Sequence, residues 1–296
     1  MKAAPFEYVR AHSVEAACAH LDADADAMVI AGGQTLVPMM AMRLARPSRL
    51  VDIARIAELH GIRDDGAALE VGAATRQAVA AGDTAIARKV PLLAAALPFV
   101  GHAATRSRGT VGGSVANGDP AAEIPLVLAA LKGGIVLRDR TVSRTVAADD
   151  FFVGPMTTAI PQGCCVVAIR FPVWHAGRTG VGFQEVSARS SDFALVAAAA
   201  QVALDDSGRC TACAFAIGGA AATPRRIDAV ADALIGTQLS DLAIAEAARA
   251  AAHSIEIMSS PHASDGYRRR AAAALGTRAL AQARGAALRG PNGMPQ

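Results

Sequence analysis

The sequence has few aromatic side chains and little charge. Phe, Trp and Tyr make up 4% of its 296 residues, and Asp, Glu, Lys and Arg make up 19%, with a net charge of +3. The scattered arginines exclude the basic stripe of a nucleic-acid-binding protein, and the many apolar residues exclude a disordered chain. No apolar run reaches the ~20 residues that span a bilayer, and residues 1–21 contain no signal-peptide core. We expect a folded cytoplasmic protein.

Cysteine is also scarce, and its five copies form no regular framework. An odd, irregular set indicates a reducing compartment, and the four-cysteine spacing of an iron–sulfur site is absent. The segment "CTAC" (Cys210–Cys213) suggests a metal or redox site, but it lies in a predicted strand. Residues three apart on a strand point to opposite faces, so we expect neither thiol to bind a metal. The histidines show no metal-binding spacing, and we predict no metal in this chain.

Two nucleotide-binding motifs are missing: neither GxGxxG nor GxxxxGK[ST] occurs. Instead, "VIAGGQTLVP" predicts a strand that runs into Gly32–Gly33, followed by a helix. Free amides at such a turn attract anions. A second stretch, "RGTVGGSVANGDPAAEIP" (residues 108–125), has four glycines within ten residues. Alone it is typical of a surface loop, but the pair suggests two loops that clamp a long anionic ligand such as a dinucleotide.

Strands and helices alternate over the first part of the chain, which predicts an α/β domain over residues 1–176. A short polar connection, "VWHAGRTG", ends this pattern. Beyond it, strands are followed by helices, which predicts a smaller α+β domain over residues 178–286. Residues 287–296 are rich in proline and glycine, and we expect a flexible tail.

With these segments in view, the chain resembles the FAD-binding medium subunit of the molybdenum hydroxylases. That family includes the medium subunit of carbon monoxide dehydrogenase and the flavin region of xanthine dehydrogenase. The likeness rests on "AGGQTLVPMMAMRLARPSRLVDIARIAEL" and on the second glycine stretch. It continues through "GFQEVSARSSDFALVAAAAQVAL" and "SSPHASDGYRRRAAAALGTRALAQA". The resemblance implies a p-cresol methylhydroxylase-type FAD-binding fold of two α/β subdomains with flavin between them, followed by a C-terminal α+β domain.

The resemblance also implies which residues contact FAD. The first glycine turn would wrap the pyrophosphate and ribityl atoms, and the second stretch would form another pyrophosphate loop. An acidic position of the family, here Glu123, binds hydroxyls, although a first-turn helix acid is the alternative reading. Some relatives carry lysine at Gln184 and an aromatic residue at Val100. The implied set is Ile30, Ala31, Gly32, Gly33, Gln34, Thr35, Leu36, Val100, Thr110, Gly112, Gly113, Ser114, Asn117, Asp119, Glu123, Val166 and Gln184.

The implied role is that of an electron relay. A large subunit would oxidise the substrate at a molybdopterin centre, and a small subunit would pass the electrons through 2Fe–2S clusters to this FAD. Partner subunits would thus hold the other cofactors, in a dimer of heterotrimers. We expect non-covalent FAD, because no residue here matches the His or Cys that attaches flavin in some members of the wider fold. We expect no catalytic residue in this chain, because the cofactor carries the chemistry. The alternatives are a stand-alone FAD-dependent oxidoreductase and a flavin-free assembly protein.

Overall fold

The computed structural model of the protein describes residues 2–290. The strands are β1 (Glu7–Arg10), β2 (Met28–Ile30), β3 (Arg49–Asp52), β4 (Ile62–Asp64), β5 (Ala68–Gly72), β6 (Gly134–Arg138), β7 (Ser143–Ala147), β8 (Phe152–Gly154), β9 (Thr157–Thr158), β10 (Cys165–Pro172), β11 (Arg178–Ser187), β12 (Ala194–Leu204), β13 (Cys210–Gly218) and β14 (Arg225–Arg226). The helices are α1 (Val14–Asp22), α2 (Leu36–Ala41), α3 (Gln77–Ala81), α4 (Thr84–Lys89), α5 (Pro91–Ala96), α6 (Ala103–Arg108), α7 (Val111–Asn117), α8 (Glu123–Ala130), α9 (Ala148–Phe151), α10 (Asp228–Leu234), α11 (Asp241–Ser254) and α12 (Asp265–Arg289). The chain therefore contains the mixture of α/β and α+β elements that its sequence predicts.

The first of two compact units contains the residues up to Asp83 together with His102–Gly118 and Gly133–Phe171. A parallel three-stranded sheet has the order β1-β3-β2, and a five-stranded sheet has the order β4-β5-β10-β6-β7. Helix α1 begins where the Ser13 side chain accepts a hydrogen bond from the Ala16 amide, the arrangement of an N-cap. Its apolar stripe, at the spacing of a helix face, is buried in one cluster with residues of β3 and the following turn.

Among the described residues, the second unit contains Thr84–Gly101, Asp119–Lys132 and residues 172–290. Its antiparallel sheet has the order β11-β12-β13-β14. Helices α5 and α8 pack against strands of this sheet. The segments Thr84–Gly101 and Asp119–Lys132 of the predicted domain 1–176 therefore belong to the unit that holds the C-terminal sheet, because their apolar helices are buried there. The predicted boundary near residue 177 stays a prediction.

The second glycine stretch is a helix, not the open loop that its composition indicates. The side chain of Thr110 accepts a hydrogen bond from the Gly113 amide (3.0 Å) and caps the start of α7. Gly118 closes the helix in the left-handed conformation, with φ of 62°. These two caps stabilise a short helix despite the low helix propensity of its internal glycines.

The thiols of Cys210 and Cys213 come together, which the strand argument did not predict. The ladder between β12 and β13 pairs Ala203 with Ala212 but Leu204 with Cys210, so the register shifts by one residue. Such a bulge interrupts the alternation of side chains, and both thiols lie buried in one core cluster. The contact with Cys210, together with burial, raises the pKa of the Cys213 thiol. Among the described residues, no group of three or more His, Cys, Asp or Glu side chains could hold a metal ion.

The C-terminal helix α12 extends to Arg289, three residues into the segment predicted as a tail. Gly290 caps the end of this helix, and residues 291–296 of the predicted tail lie outside the described residues. Within residues 2–290, no helix combines the length and the apolar character needed to cross a membrane.

Strand β11 and helix α12 approach each other through glycine. An added Cβ at Gly182 would lie 2.0 Å from the carbonyl oxygen of Ala279. We predict that Gly182→Ala lowers the free energy of unfolding by roughly 2–4 kcal/mol, because two backbones must separate. Urea denaturation followed by circular dichroism measures this loss. The control Gly285→Ala on α12, whose Cβ would meet only Arg289 Nη1 at 3.5 Å, should not destabilise the protein. Equal stability of both variants would contradict the packing argument.

Candidate functional site

The two glycine stretches lie side by side in the first unit. The turn between β2 and α2 places Gly33 in the left-handed region, with φ of 69°. At Gly32, an added Cβ would lie 2.3 Å from the carbonyl oxygen of Arg108 and 2.8 Å from Gly109 Cα. Only glycine permits such a close backbone approach. Two motifs far apart in the sequence therefore form one surface.

The first turn presents consecutive unbonded amides. Within residues 2–290, the N–H groups of Gly32, Gly33, Gln34 and Thr35 donate no hydrogen bond to the protein. The Gln34 side chain bonds back to the Gly32 carbonyl (3.1 Å) and leaves those amides open. Successive free amides next to a left-handed residue form a concave anion-binding nest. These residues therefore fit the pyrophosphate of a dinucleotide.

Most backbone amides of the second stretch donate hydrogen bonds within the protein. The Val111 amide donates to the Thr75 carbonyl and the Gly112 amide to the Ala73 carbonyl, both at 3.0 Å. A Cβ at Gly112 would lie 2.5 Å from the Ala73 Cβ. The lack of a side chain at Gly112 thus serves contact with the segment after β5, and the expected contact of Gly112 with the ligand stays a prediction. Gly113 is exposed and Ser114 half-buried, so these two positions keep an accessible surface.

Three further candidates of the first unit lie within the two glycine stretches, and a fourth, Val166, lies on β10. Asn117, in the last turn of α7, donates from Nδ2 to the sulfur of Met156 (3.6 Å). Ile30 and Leu36 pack on a small apolar cluster around Met40. Val166 is buried on β10 beside an irregularity in its pairing with β6. These contacts fix the side chains but do not identify a ligand.

In the second unit, Glu123 is the first residue of α8 and is 8% exposed. Glu123 therefore lies in the first turn of a helix, as the alternative interpretation states. Its contact with hydroxyl groups of a ligand stays a prediction. Asp119 accepts a hydrogen bond from the Ala121 amide (2.9 Å), and burial raises its pKa. Val100 is buried beyond the short turn that contains Phe99, whose ring centroid lies 5.0 Å from that of Phe183.

Two neighbours on β11 point in different directions. Gln184 donates to Gln282 of α12 (2.8 Å), so it lies on the face that α12 covers. Glu185 lies on the opposite face, and its buried Oε2 has no hydrogen-bond partner. Burial, and secondarily the charge of Glu123, raise the pKa of Glu185 to about 8. Sequence reasoning missed Glu185, although strand alternation from the apolar Phe183 could have marked an acid on a buried face.

Comparisons with known proteins agree over most of the chain. The family described as "FAD binding domain in molybdopterin dehydrogenase" matches residues 4–174, and "CO dehydrogenase flavoprotein C-terminal domain" matches residues 182–283. The chain is 36% identical to the 6-hydroxypseudooxynicotine dehydrogenase complex subunit alpha of Paenarthrobacter nicotinovorans, over 96% of each chain. It is 34% identical to the carbon monoxide dehydrogenase medium chain of Afipia carboxidovorans, over 94% of this chain and 96% of the relative. Quinoline 2-oxidoreductase from Pseudomonas putida 86 superposes with a TM-score of 0.92, at 34% identity over 97% of this chain and 100% of that chain.

The raised pKa of Glu185 predicts a pH-dependent stability. The folded protein holds this proton more tightly than the unfolded chain, whose carboxyl has its ordinary value of 4.5. The contribution of the Glu185 carboxyl to the free energy of unfolding is therefore complete below pH 4.5 and is lost as the pH rises through about 8. Glu185→Gln, which cannot ionise, should melt a few degrees above the wild type at pH 9 and no higher at pH 5. Thermal melts of the flavin-free chain test this, with Glu246→Gln as control, because Glu246 is an exposed residue of α11. Parallel melting curves for Glu185→Gln and the wild type would contradict it.

Proposed function

Because this chain belongs to the FAD-binding subunits of the molybdenum hydroxylases, the family of the carbon monoxide dehydrogenase medium chain, we propose that it relays electrons through FAD within such a complex. It would receive them from 2Fe–2S clusters of a small partner subunit and pass them to an external acceptor. A large partner subunit would oxidise the substrate at a molybdopterin centre. We place the complex in the cytoplasm as a dimer of heterotrimers.

The observation that carries FAD binding is the row of open amides from Gly32 to Thr35. Four consecutive donors match the oxygens of a pyrophosphate, and the left-handed Gly33 gives the turn its concave shape. Thr110 supports this arrangement indirectly, because its hydroxyl caps α7 beside the turn. In this proposal the exposed backbone at Gly113 and the Ser114 hydroxyl border the same ligand.

The remaining side chains would position the rest of the cofactor. Glu123 would accept hydrogen bonds from hydroxyl groups, the task for which a carboxylate is suited. Val100 and Val166 would offer apolar contacts, and the contacts expected at Asn117, Asp119 and Gln184 stay predictions. FAD itself stores two electrons and exchanges them singly, so this chain needs no acid, base or nucleophile of its own. No residue matches the attachment point of a covalent flavin, and we propose non-covalent binding.

Replacing glycine in the first turn should remove FAD. In Gly33→Val the new side chain would be β-branched in the left-handed region, and its Cβ would lie 3.1 Å from Val37 Cγ2. We expect flavin content to fall at least tenfold, with the circular dichroism spectrum retained. The control Gly82→Ala, whose Cβ would meet only ordinary contacts, should keep its flavin. We call the turn of residues 32–35, with its open amides, the FAD cradle. Full flavin retention in Gly33→Val would overturn the proposal that this cradle binds FAD.

The relay role predicts dependence on partners. The full chain expressed alone should bind FAD but should not reduce a dye with purines, aldehydes, aromatic heterocycles or carbon monoxide. Co-expressed with the neighbouring iron–sulfur and molybdenum subunits, it should co-purify with both. Substrate-dependent dye reduction by the isolated chain, free of iron and molybdenum, would favour a stand-alone oxidoreductase. A colourless preparation that still assembles would favour an assembly protein.

A further inference from the structure

Gln77, the first residue of α3, is a buried amide with an unused oxygen. It is 5% exposed, and its Oε1 has no hydrogen-bond partner. Its Nε2 donates a long bond of 3.4 Å to the Thr110 carbonyl, and its backbone amide donates to the Gly109 carbonyl at 2.9 Å. Leaving a buried oxygen unpaired is unfavourable. A leucine of similar size would avoid that cost, so the position of this amide calls for an explanation.

The chain after β5 runs alongside the second glycine stretch. Arg76 forms an antiparallel bridge with Thr110, and its guanidinium donates to the Ser107 carbonyl. The Thr75 carbonyl accepts from the Val111 amide (3.0 Å). These contacts hold the second glycine stretch against the residues after β5. The Gln77 side chain contacts the same stretch at Thr110 and Gly109.

Gly109 is enclosed from two sides. On one side, an added Cβ at Gly109 would lie 2.5 Å from Gln77 Oε1. On the other, the Gly109 Cα would lie 2.8 Å from a Cβ added at Gly32. The Gln77 carboxamide, Gly109 and the first glycine turn are thus stacked in contact. A change in the position of Gly109 would therefore shift the first glycine turn and its open amides.

We propose that Gln77 is a positioning residue of the FAD cradle: its carboxamide holds the Arg108–Gly109 backbone against the Gly32 turn. This inference rests on the proposed function, since the cradle it positions is the FAD site proposed above. The arrangement also explains why position 109 requires glycine, because the glutamine oxygen occupies the space that a side chain would need.

The test is a suppression experiment on the full chain freed of flavin. Gly109→Ala should weaken FAD binding about 30-fold, because its methyl group displaces the loop. Gln77→Ala empties the space beneath the loop and should weaken binding about tenfold. In the double variant the methyl group fills that space, so its affinity should be no worse than that of Gln77→Ala. FAD affinity is measured by quenching of flavin fluorescence, with Gly82→Ala and Val79→Ala as controls for the two single changes.

Losses that add in the double variant would show that the methyl group added at position 109 and the Gln77 side chain do not compete for one space, and they would overturn the proposal. Unchanged affinity in Gly109→Ala would also overturn it. If Gly109→Ala does not fold, Gln77→Ala and Val79→Ala decide the question, and equal affinities would refute the positioning role. Absence of FAD binding by the wild type would refute the proposed function itself, whereas binding without suppression would refute only this inference.

Discussion

The close approach of Gly32 to the Arg108–Gly109 backbone is the contact on which the candidate site depends. It requires glycine at position 32, and it joins two segments that are far apart in the sequence. The elements around it hold each partner in place. Strand pairing of β2 with β3 fixes the first turn, and the residues after β5 fix the second. The open amides of the first turn are a consequence of this geometry, since the turn is held without using them.

Small residues play a comparable role in the second unit. Strand β12 is largely alanine, and glycines on β11 allow the backbone of α12 to approach the sheet closely. Such close contact gains dispersion energy over a large area without large side chains. It accounts for the low aromatic content of the chain, since alanine and glycine fill space that aromatic rings occupy in other cores. The opposite face of β11 carries Phe183, which packs on Phe99, and Glu185, whose pKa the charge of Glu123 helps to raise.

Much of the architecture follows from local sequence patterns. The start of α1 at Ser13, the turn at Gly32–Gly33, the long apolar strands and the helical C-terminus each have a short-range cause, and the structure contains all of them. In the segment 108–125 the local pattern differs from the structure, because a glycine-rich composition indicates a loop and the structure has a helix there. Its helix α7 depends on the Thr110 cap and on contact with Ala73, and only the second of these is non-local. Likewise, the bulge that brings Cys210 and Cys213 together depends on the neighbouring strand and leaves no local signal.

The sequence by itself determined the family, the α/β and α+β character and the two glycine motifs, because these depend on residue type and on spacing along the chain. The tertiary structure alone decided what each glycine does. Gly32 permits a backbone contact, Gly33 shapes the turn, and Gly112 packs on Ala73. It also decided that Glu185 is half-buried near Glu123 and that Gln184 faces α12. These distinctions depend on which distant segments lie against a residue, and spacing along one chain does not contain that information.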